Sequence, residues 1–405
     1  MPNDTVYYVA KSGNDSNAGT SQAAPKLTIL NAVDTAYAAG TDNIVEIIDS
    51  GVYAEGDIYI YTRSITVRAT GSNKPIIDGA SPNRTHCFRP YASGNVFQGL
   101  HMRNFDNGVI NGENTAGHSY ILSGCIAQYD DGPMYIGSVN TQSEIRDCLI
   151  QCNDDVSLSP NNATSTTKVL ITNSVIACNF DGGSNGNTIT FGQAATNVTM
   201  SYCTVIAPGE RGSDNFNAIN QVAKVINCIV SGSGDGINAL ESTYNLVFVS
   251  GDPFITWSGN DSNGTPRSAN TGEITGNPLF VNGASLGSVN LTSGQSYALS
   301  DGSPAIATGI NYLSIRSDIS GNYRNNFDMG AYAFESTEPL WSDYEKEPVN
   351  RFGASLSVEM YKNLASNQKF RKLVDPGQAP FSRGIKGVPS IRNPEGDTPY
   401  KNNND

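Results

Sequence analysis

"ILSGCIAQY" (121–129) and "EIRDCLIQC" (144–152) align without a gap on Cys125 and Cys148. "LITNSVIAC" (170–178), "TMSYCTVIA" (199–207) and "VINCIVSG" (225–232) extend the alignment, and "FQGLHMRNF" (97–105) joins it with Leu100 in the cysteine column. The markers Leu100, Cys125, Cys148, Ser174, Cys203 and Cys228 are spaced by 25, 23, 26, 29 and 25 residues. Three positions before each marker stand Phe97, Leu122, Ile145, Ile171, Met200 and Val225; two after stand Met102, Ala127, Ile150, Ile176, Val205 and Val230. Apolar side chains at every second position are the mark of a strand with one buried face. Between the position three before the marker and the marker itself the step is three, so one extra residue must be absorbed. The residue just before the marker is Gly99, Gly124, Asp147, Asn173, Tyr202 or Asn227. Gly, Asn and Asp tolerate the left-handed conformation of a sharp bend. Each unit therefore reads strand, bend, strand. Units of about 25 residues that repeat this way stack as a coil, each turn hydrogen-bonded to the next.

Composition agrees. Of 405 residues, 41 are Gly and only 16% are charged, which suits an all-β chain rich in turns and excludes a helical bundle. The formal net charge is −13, which disfavours nucleic acid as a partner. Residues 1–345 hold 15 Lys and Arg against 32 Asp and Glu, whereas 346–405 hold 10 against 6. An acidic body with a basic tail implies two pieces with different jobs. "MPNDTVYYVA" lacks the basic and apolar regions of a secretory signal, and no apolar run reaches the ~18 residues of a membrane span. The expectation is a chain made in a cytosol or relieved of its signal, with no membrane partner. Seven cysteines leave at least one without an intrachain partner. Stacked in the interior, they read as small core residues and as thiols; Cys152 and Cys178 are the one pair placed on adjacent turns within disulfide reach.

These features resemble the right-handed parallel β-helix proteins of the pectate-lyase-like superfamily, including its phage and bacterial members. The Gly/Asn/Asp column resembles that family's asparagine ladder, and "YYVAKSGNDSNAGTSQAAPKLTILNAV" (7–33) resembles its entry strand and capping helix. "GNPLFVN" (276–282), "YALSDGSPAIATG" (297–309) and "DISGNYRNNFDMGAYAFE" (318–335) resemble the closing rungs of a bacterial and viral subgroup. The resemblance implies an all-β, single-stranded right-handed β-helix over 41–335, an entry strand and capping helix over 1–40, and a C-terminal arm over 336–405. The fold carries lyases, hydrolases, epimerases and inert virion proteins, so it does not fix an activity. "GNDSNAG" (13–19) reads as a capping turn before a helix at 26–39, since it lacks the closing acid of a calcium loop.

A second column follows the markers: Asp106, Asp131, Asp155, Asp181, Asp214 and Asp235, most followed by Gly or Asn. A recurring turn, in which the carboxylate accepts amides just downstream, explains such a column. The competing reading is chemical. Like charges about 5 Å apart repel, so one is protonated or a cation bridges them. On that reading Asp130, Asp131 and Asp154 are the candidates for a calcium ion, and Asp154, Asp155 and Asp181, with Arg211 as the basic residue, are the catalytic candidates. Tyr129 and Tyr135 are the candidates for stacking on sugar rings. No cofactor beyond that calcium is called for. The Gly-His-Gly and Arg-Ile-Lys of the pectin hydrolases of this fold are missing; His86, His101 and His118 read as surface or loop residues.

The position after the marker points outward, yet it holds Ile126, Leu149, Val175 and Ile229 among its six residues. Either a loop of the same chain covers this stripe or another chain does. Beyond Glu335 the sequence is linker-like, then amphipathic over 354–374, then rich in Pro, Gly and basic residues; Trp341, Phe370 and Phe381 are its candidate anchors to a partner. The expectation is a virion structural protein, of the bacteriophage spike, fibre or capsid-decorating kind, joined to other virion proteins or copies of itself through 340–405 and able to bind a cell-surface polysaccharide. The alternative is a secreted bacterial polysaccharide lyase or glycoside hydrolase.

Overall fold

A computed structural model describes residues 5–40, 43–61, 63–71, 74–80, 84–111, 119–130, 134–135, 142–152, 158–159, 168–178, 189–190, 197–207, 217–232, 234–256, 265–281, 297–324 and 327–334. The chain coils as a right-handed parallel β-helix. Its first sheet stacks Val6–Val9, Asn43–Ile47, Ile65–Ala69, Asn95–Gln98, Tyr120–Ser123, Gln142–Arg146, Lys168–Thr172, Val198–Ser201 and Asn217–Ile226. Its second runs from Val52–Tyr53 through Ile126–Tyr129, Leu149–Cys152, Val175–Cys178, Thr204–Ala207 and Ile229–Gly232 to Leu246–Val249 and Ile274–Thr275. A third flank begins with Ile58–Ile60 paired to Phe88–Pro90. Further along, Met134–Tyr135, Leu158–Ser159 and Ile189–Thr190 stack onto the start of Asn217–Ile226. There the corner between flank and first sheet is reduced to a bulge, with Gln221 at φ 56° and a register shift between Asn220 and Val222.

The register is the one the repeat predicts. Phe97, Leu122, Ile145, Ile171, Met200 and Val225 are successive partners and all are buried. So are Ala127, Ile150, Ile176, Val205, Val230 and Val247 across the second sheet. The bend column is left-handed throughout: Gly99 (φ 71°), Gly124 (61°), Asp147 (55°), Asn173 (48°), Tyr202 (53°) and Asn227 (56°). The strand His101–Phe105 carries one extra residue: Asn104 (φ 58°) is bulged out, so that Phe105 pairs with Tyr129.

The marker cysteines do more than fill space. Each bend turns a carbonyl into the bore, and the thiol two residues on donates to it: Cys125 to Ser123 (3.4 Å), Cys148 to Arg146 (3.1 Å), Cys203 to Ser201 (3.4 Å) and Cys228 to Ile226 (3.4 Å). Ser174 does the same to Thr172 at 2.8 Å. Each of these carbonyls also accepts a backbone amide, Ser123 that of Gly99 and Arg146 that of Gly124, both at 3.0 Å, so the small side chain's weak donor is a second partner for an oxygen with two lone pairs. All seven cysteines are buried thiols, and burial pushes those of Cys87, Cys148 and Cys228 well above the ordinary thiol range.

The N-terminal mouth is plugged by α1 (Ile29–Ala39), whose Ile29, Ala32, Val33 and Ala36 are buried at the i, i+3, i+4, i+7 spacing of one face. Its start is tied from two sides. Asp15 accepts from the Leu27 and Thr28 amides and the Thr28 hydroxyl, so "GNDSNAG" is a capping turn. Glu55, from the next rung, accepts the Ile29 and Leu30 amides at 3.0 and 2.8 Å.

Residues 297–324 and 327–334 do not close the coil as further rungs. They run back over the outer face of the second sheet. Tyr297, Ile319, Ala331 and Tyr332 pack on Leu149, Val175, Ala177 and Ile206, and Leu299, Ala305, Met329 and Phe334 pack on Ile229 and Leu246. The bend column holds this strap: Asn173 Nδ2 donates to the Ser317 carbonyl (2.6 Å), Tyr202 Oη to Ile310 (2.6 Å) and Asn227 Nδ2 to Ile310 (2.7 Å). Arg324 is fully buried beneath it. Its guanidinium donates to Asn173 Oδ1 and to the carbonyls of Ser317, Asp328, Gly330 and Ala331, and lies 4.6 Å from the centre of the Tyr202 ring. Asp318 and Asp328, also buried, spend their oxygens on strap amides. Gly330 (φ 86°) passes so close to the sheet that an added Cβ would sit 2.6 Å from Ile229 Cδ1.

Candidate functional site

The outward stripe is therefore not a free interface. Val175 and Ile229 are sealed by their own chain and Leu149 packs under the same cover; Ile126 is half-buried. Trp341, Phe370 and Phe381 lie outside the described residues. So do Asp131, Asp154, Asp155, Asp181 and Arg211, and the side chain of Tyr135. The strands around the acids pair in order, Cys152 with Cys178 before them and Leu158 with Ile189 after. Asp130 is exposed at the end of its strand. Tyr129 is 1% exposed and faces the bore, where burial pushes its phenol well above the usual range, so it cannot stack on a sugar. The alternation that set Ala127 inward sets Tyr129 inward too. His86 is also buried, with Nδ1 2.8 Å from the Gly108 carbonyl and Nε2 2.9 Å from Asn111 Nδ2. His101 is half-buried beside Gln128, and burial lowers its pKa. His118 lies outside the described residues.

The described acids act as turn anchors. Asp235, from the aspartate column, accepts the Asp252 amide of the next rung at 2.8 Å. Asp49 accepts the Lys11 and Gly51 amides and the Tyr53 hydroxyl, and Asp78 the Ala80 amide, Asn104 and Arg103. Burial works against both carboxylates, yet these donors hold each below the ordinary value.

Among the described residues, cavities lie on the outside of the coil in two places that bear on function. One, of about 640 Å³, crosses the outer face of the first sheet at Gln142, Lys168, Leu170, Thr199 and Leu240, with Lys224 and Glu241 paired at 2.8 Å. The other, of about 620 Å³, sits at the N-terminal end of the third flank, lined by Leu30, Glu55, Gly56, Asp57, Tyr59, Arg84, Thr85 and Arg89. It is built from two short rungs, "EGDIYIY" (55–61) and "RTHCFRPY" (84–91). Ile58, Ile60 and Phe88 point inward, so Tyr59, Tyr61, Arg89 and Tyr91 point outward. The three tyrosine rings lie within 13° of parallel, with centroids 5.6, 5.9 and 6.1 Å apart, and Tyr61 is 52% exposed. Arg89 Nε meets Asp57 Oδ1 at 3.1 Å, and its guanidinium lies 5.4 Å from the Tyr59 ring centre. Glu55 sits above its usual pKa because it is buried, a shift opposed by the Leu30 and Ile29 amides. Gly56 lets the strand pass: a Cβ there would meet Phe105 Cε1 at 2.7 Å and Arg84 Cβ at 2.8 Å. The repeat alignment starts at Phe97 and so missed this flank. Its signal was the alternation Tyr-Ile-Tyr, with aromatics on the face that should be wet.

The strand order, the left-handed bend column and the inward Cys/Ser column decide the architecture. The chain is a right-handed parallel β-helix. No protein-family model matches it, and no curated protein matches it. Among solved structures, pectate lyase Pel9A is similar at 18% identity over 82% of this chain and 96% of that one, with a TM-score of 0.48. For the β-helix described here that likeness concerns the fold alone.

Proposed function

We propose that this β-helix is a glycan-binding structural component of a virion, of the spike, fibre or capsid-decorating kind, attached through residues 336–405. The observation that carries the glycan reading is the near-parallel trio Tyr59, Tyr61 and Tyr91 beside a cavity with polar walls. Aromatic faces match the apolar faces of sugar rings, and flanking polar groups fix their hydroxyls. Asp49, Asp57, Asp78 and Asp235 support binding rather than turnover, since their oxygens are spent on backbone amides, neighbouring side chains and arginines. The attachment reading is supported by the basic excess of 346–405 on an acidic body.

A glycan array probed with the wild type and Tyr61→Ala tests the first half. Binding that falls about tenfold or more in the variant is expected; binding of no glycan, or binding indifferent to Tyr61, removes the reading. Truncation after Glu335 tests the second half: incorporation into particles should be lost. Cleavage of a bound polysaccharide that vanishes in Asp154→Ala and Asp155→Ala would replace both with the lyase or hydrolase reading.

A further inference from the structure

We infer that the cavity beside the tyrosines selects sugars carrying an anionic substituent, and that Arg84 is the residue that reads it. This deepens the glycan reading above and rests on it. Three guanidinium groups stand in this part of the flank, and two of them are engaged. Arg89 pairs with Asp57 and lies 5.4 Å from the centre of the Tyr59 ring. Arg63 lies 5.6 Å from the centre of the Tyr37 ring, which in turn meets Tyr61 edge-on at 6.4 Å. Arg84 is different. Its Nε is buried with no hydrogen-bond partner among the described residues, and no carboxylate among them pairs with it. A buried, unpartnered N–H costs about 1–3 kcal/mol, so a site that keeps one is poised for an acceptor supplied from outside.

The two acids on the same wall do not take that role. Glu55 gives one oxygen to each of two α1 amides, and Asp57 gives Oδ1 to Arg89. Their positions also keep the rim polar without closing the fork. A guanidinium is planar and presents parallel donors, which match the two oxygens of a carboxylate or of a phosphate. A saccharide laid against Tyr59 and Tyr61 would carry such a substituent into the 620 Å³ cavity where Arg84 lies. The ligand class is thus a sugar with a carboxylate or phosphate group, held by ring stacking on one side and by a charged fork on the other.

The test uses the full chain and three probes of equal length: a β-1,4-linked tetraglucose, the matching tetraglucuronate and a 6-phosphorylated tetraglucose, each titrated calorimetrically, together with an array of neutral and acidic glycans. The wild type is expected to favour at least one anionic partner of a neutral glycan by about tenfold or more, the span of one charge-assisted hydrogen bond. The better of the two anionic probes tells carboxylate from phosphate. Arg84→Gln should abolish the preference while leaving the urea midpoint unchanged, because the buried Nε has no hydrogen bond to lose; Arg84→Lys keeps charge without the fork and should restore only part of it. Tyr61-dependent binding that ignores anionic groups, or a preference that survives Arg84→Gln, overturns the inference and leaves the glycan reading intact. No Tyr61-dependent binding to any glycan overturns both.

Discussion

Over the second sheet, outward positions hold Val175, Ile206 and Ile229, and the chain returns as residues 297–324 and 327–334 to cover them. On the third flank, outward positions hold Tyr59, Tyr61 and Tyr91, and Tyr61 stays half exposed. The same coil is finished in two ways. Aliphatic side chains offer water nothing, so their exposure is removed within the molecule. Tyrosine offers a flat apolar face and a hydroxyl, which makes it stable at a wet surface and useful to a ligand. The kind of apolar residue on an outward column, more than the fact of its being apolar, separates a face sealed by the chain from a face offered to a partner.

The strongest way to break this comparison is to loosen the strap. Arg324 ties four strap carbonyls and Asn173 from a fully buried position, and burial holds its pKa below the ordinary value while Asp318, Tyr202 and Asp328 oppose the shift. Arg324→Ala leaves those acceptors buried without their donor and removes the positive charge beside the buried Asp318 and Asp328. The expected loss is roughly 3–5 kcal/mol in urea unfolding, with new binding of an apolar dye as Val175 and Ile229 become wet. An unchanged midpoint would mean that the strap is not what seals the second sheet.

The coil was legible in the sequence because its determinants are local and repeat: an apolar residue at every second position and a Gly, Asn or Asp at each bend. The strap was not. Its motifs resemble closing rungs in the sequence, because Arg324 and Gly330 act on residues more than 100 positions away, and only the fold brings Gly330 to Ile229 or Arg324 to Asn173. Tyr129 was misplaced for a simpler reason: the alternation already put it inside. Asp154 and Asp181 stand out in the sequence by charge density, whereas the tyrosine flank carries the better physical signal, aromatic residues on the wet parity of a strand.

A smaller effect sharpens the account of the bore. If the marker thiol matters as a donor, Cys148→Ser should stay within about 0.5 kcal/mol of the wild type, as Ser174 already occupies the next rung, whereas Cys148→Val should cost about 1 kcal/mol by removing the second donor to the Arg146 carbonyl, which keeps the Gly124 amide. Equal losses for both would assign the column to volume alone. Smaller again is the pH response of Glu55. Its native pKa lies above the free value of 4.5, so the folded chain keeps a proton that the unfolded chain has released. Its contribution to stability therefore falls as pH rises from about 4.5 through the raised value and is flat beyond it. In Glu55→Gln that slope should disappear from the urea midpoint measured between about pH 4 and pH 7.

The smallest expected change decides most about function. Tyr61 is exposed, its ring neighbours are Tyr59, Tyr91 and Tyr37, and its strand is held by the inward Ile58 and Ile60. Tyr61→Ala should therefore move the unfolding midpoint by no more than about 0.5 kcal/mol, the usual range for a surface substitution. Val175→Ala, beneath the strap, removes two buried methyl groups and should cost more than 1 kcal/mol. The pair is a matched experiment on two outward columns. If Tyr61 proved as costly as Val175, its ring would be part of the packing, and the trio would be a third piece of core that happens to touch water. If it is cheap to remove, the folded chain gains little from three parallel tyrosines at its surface, and what they contribute has to be sought in a bound complex.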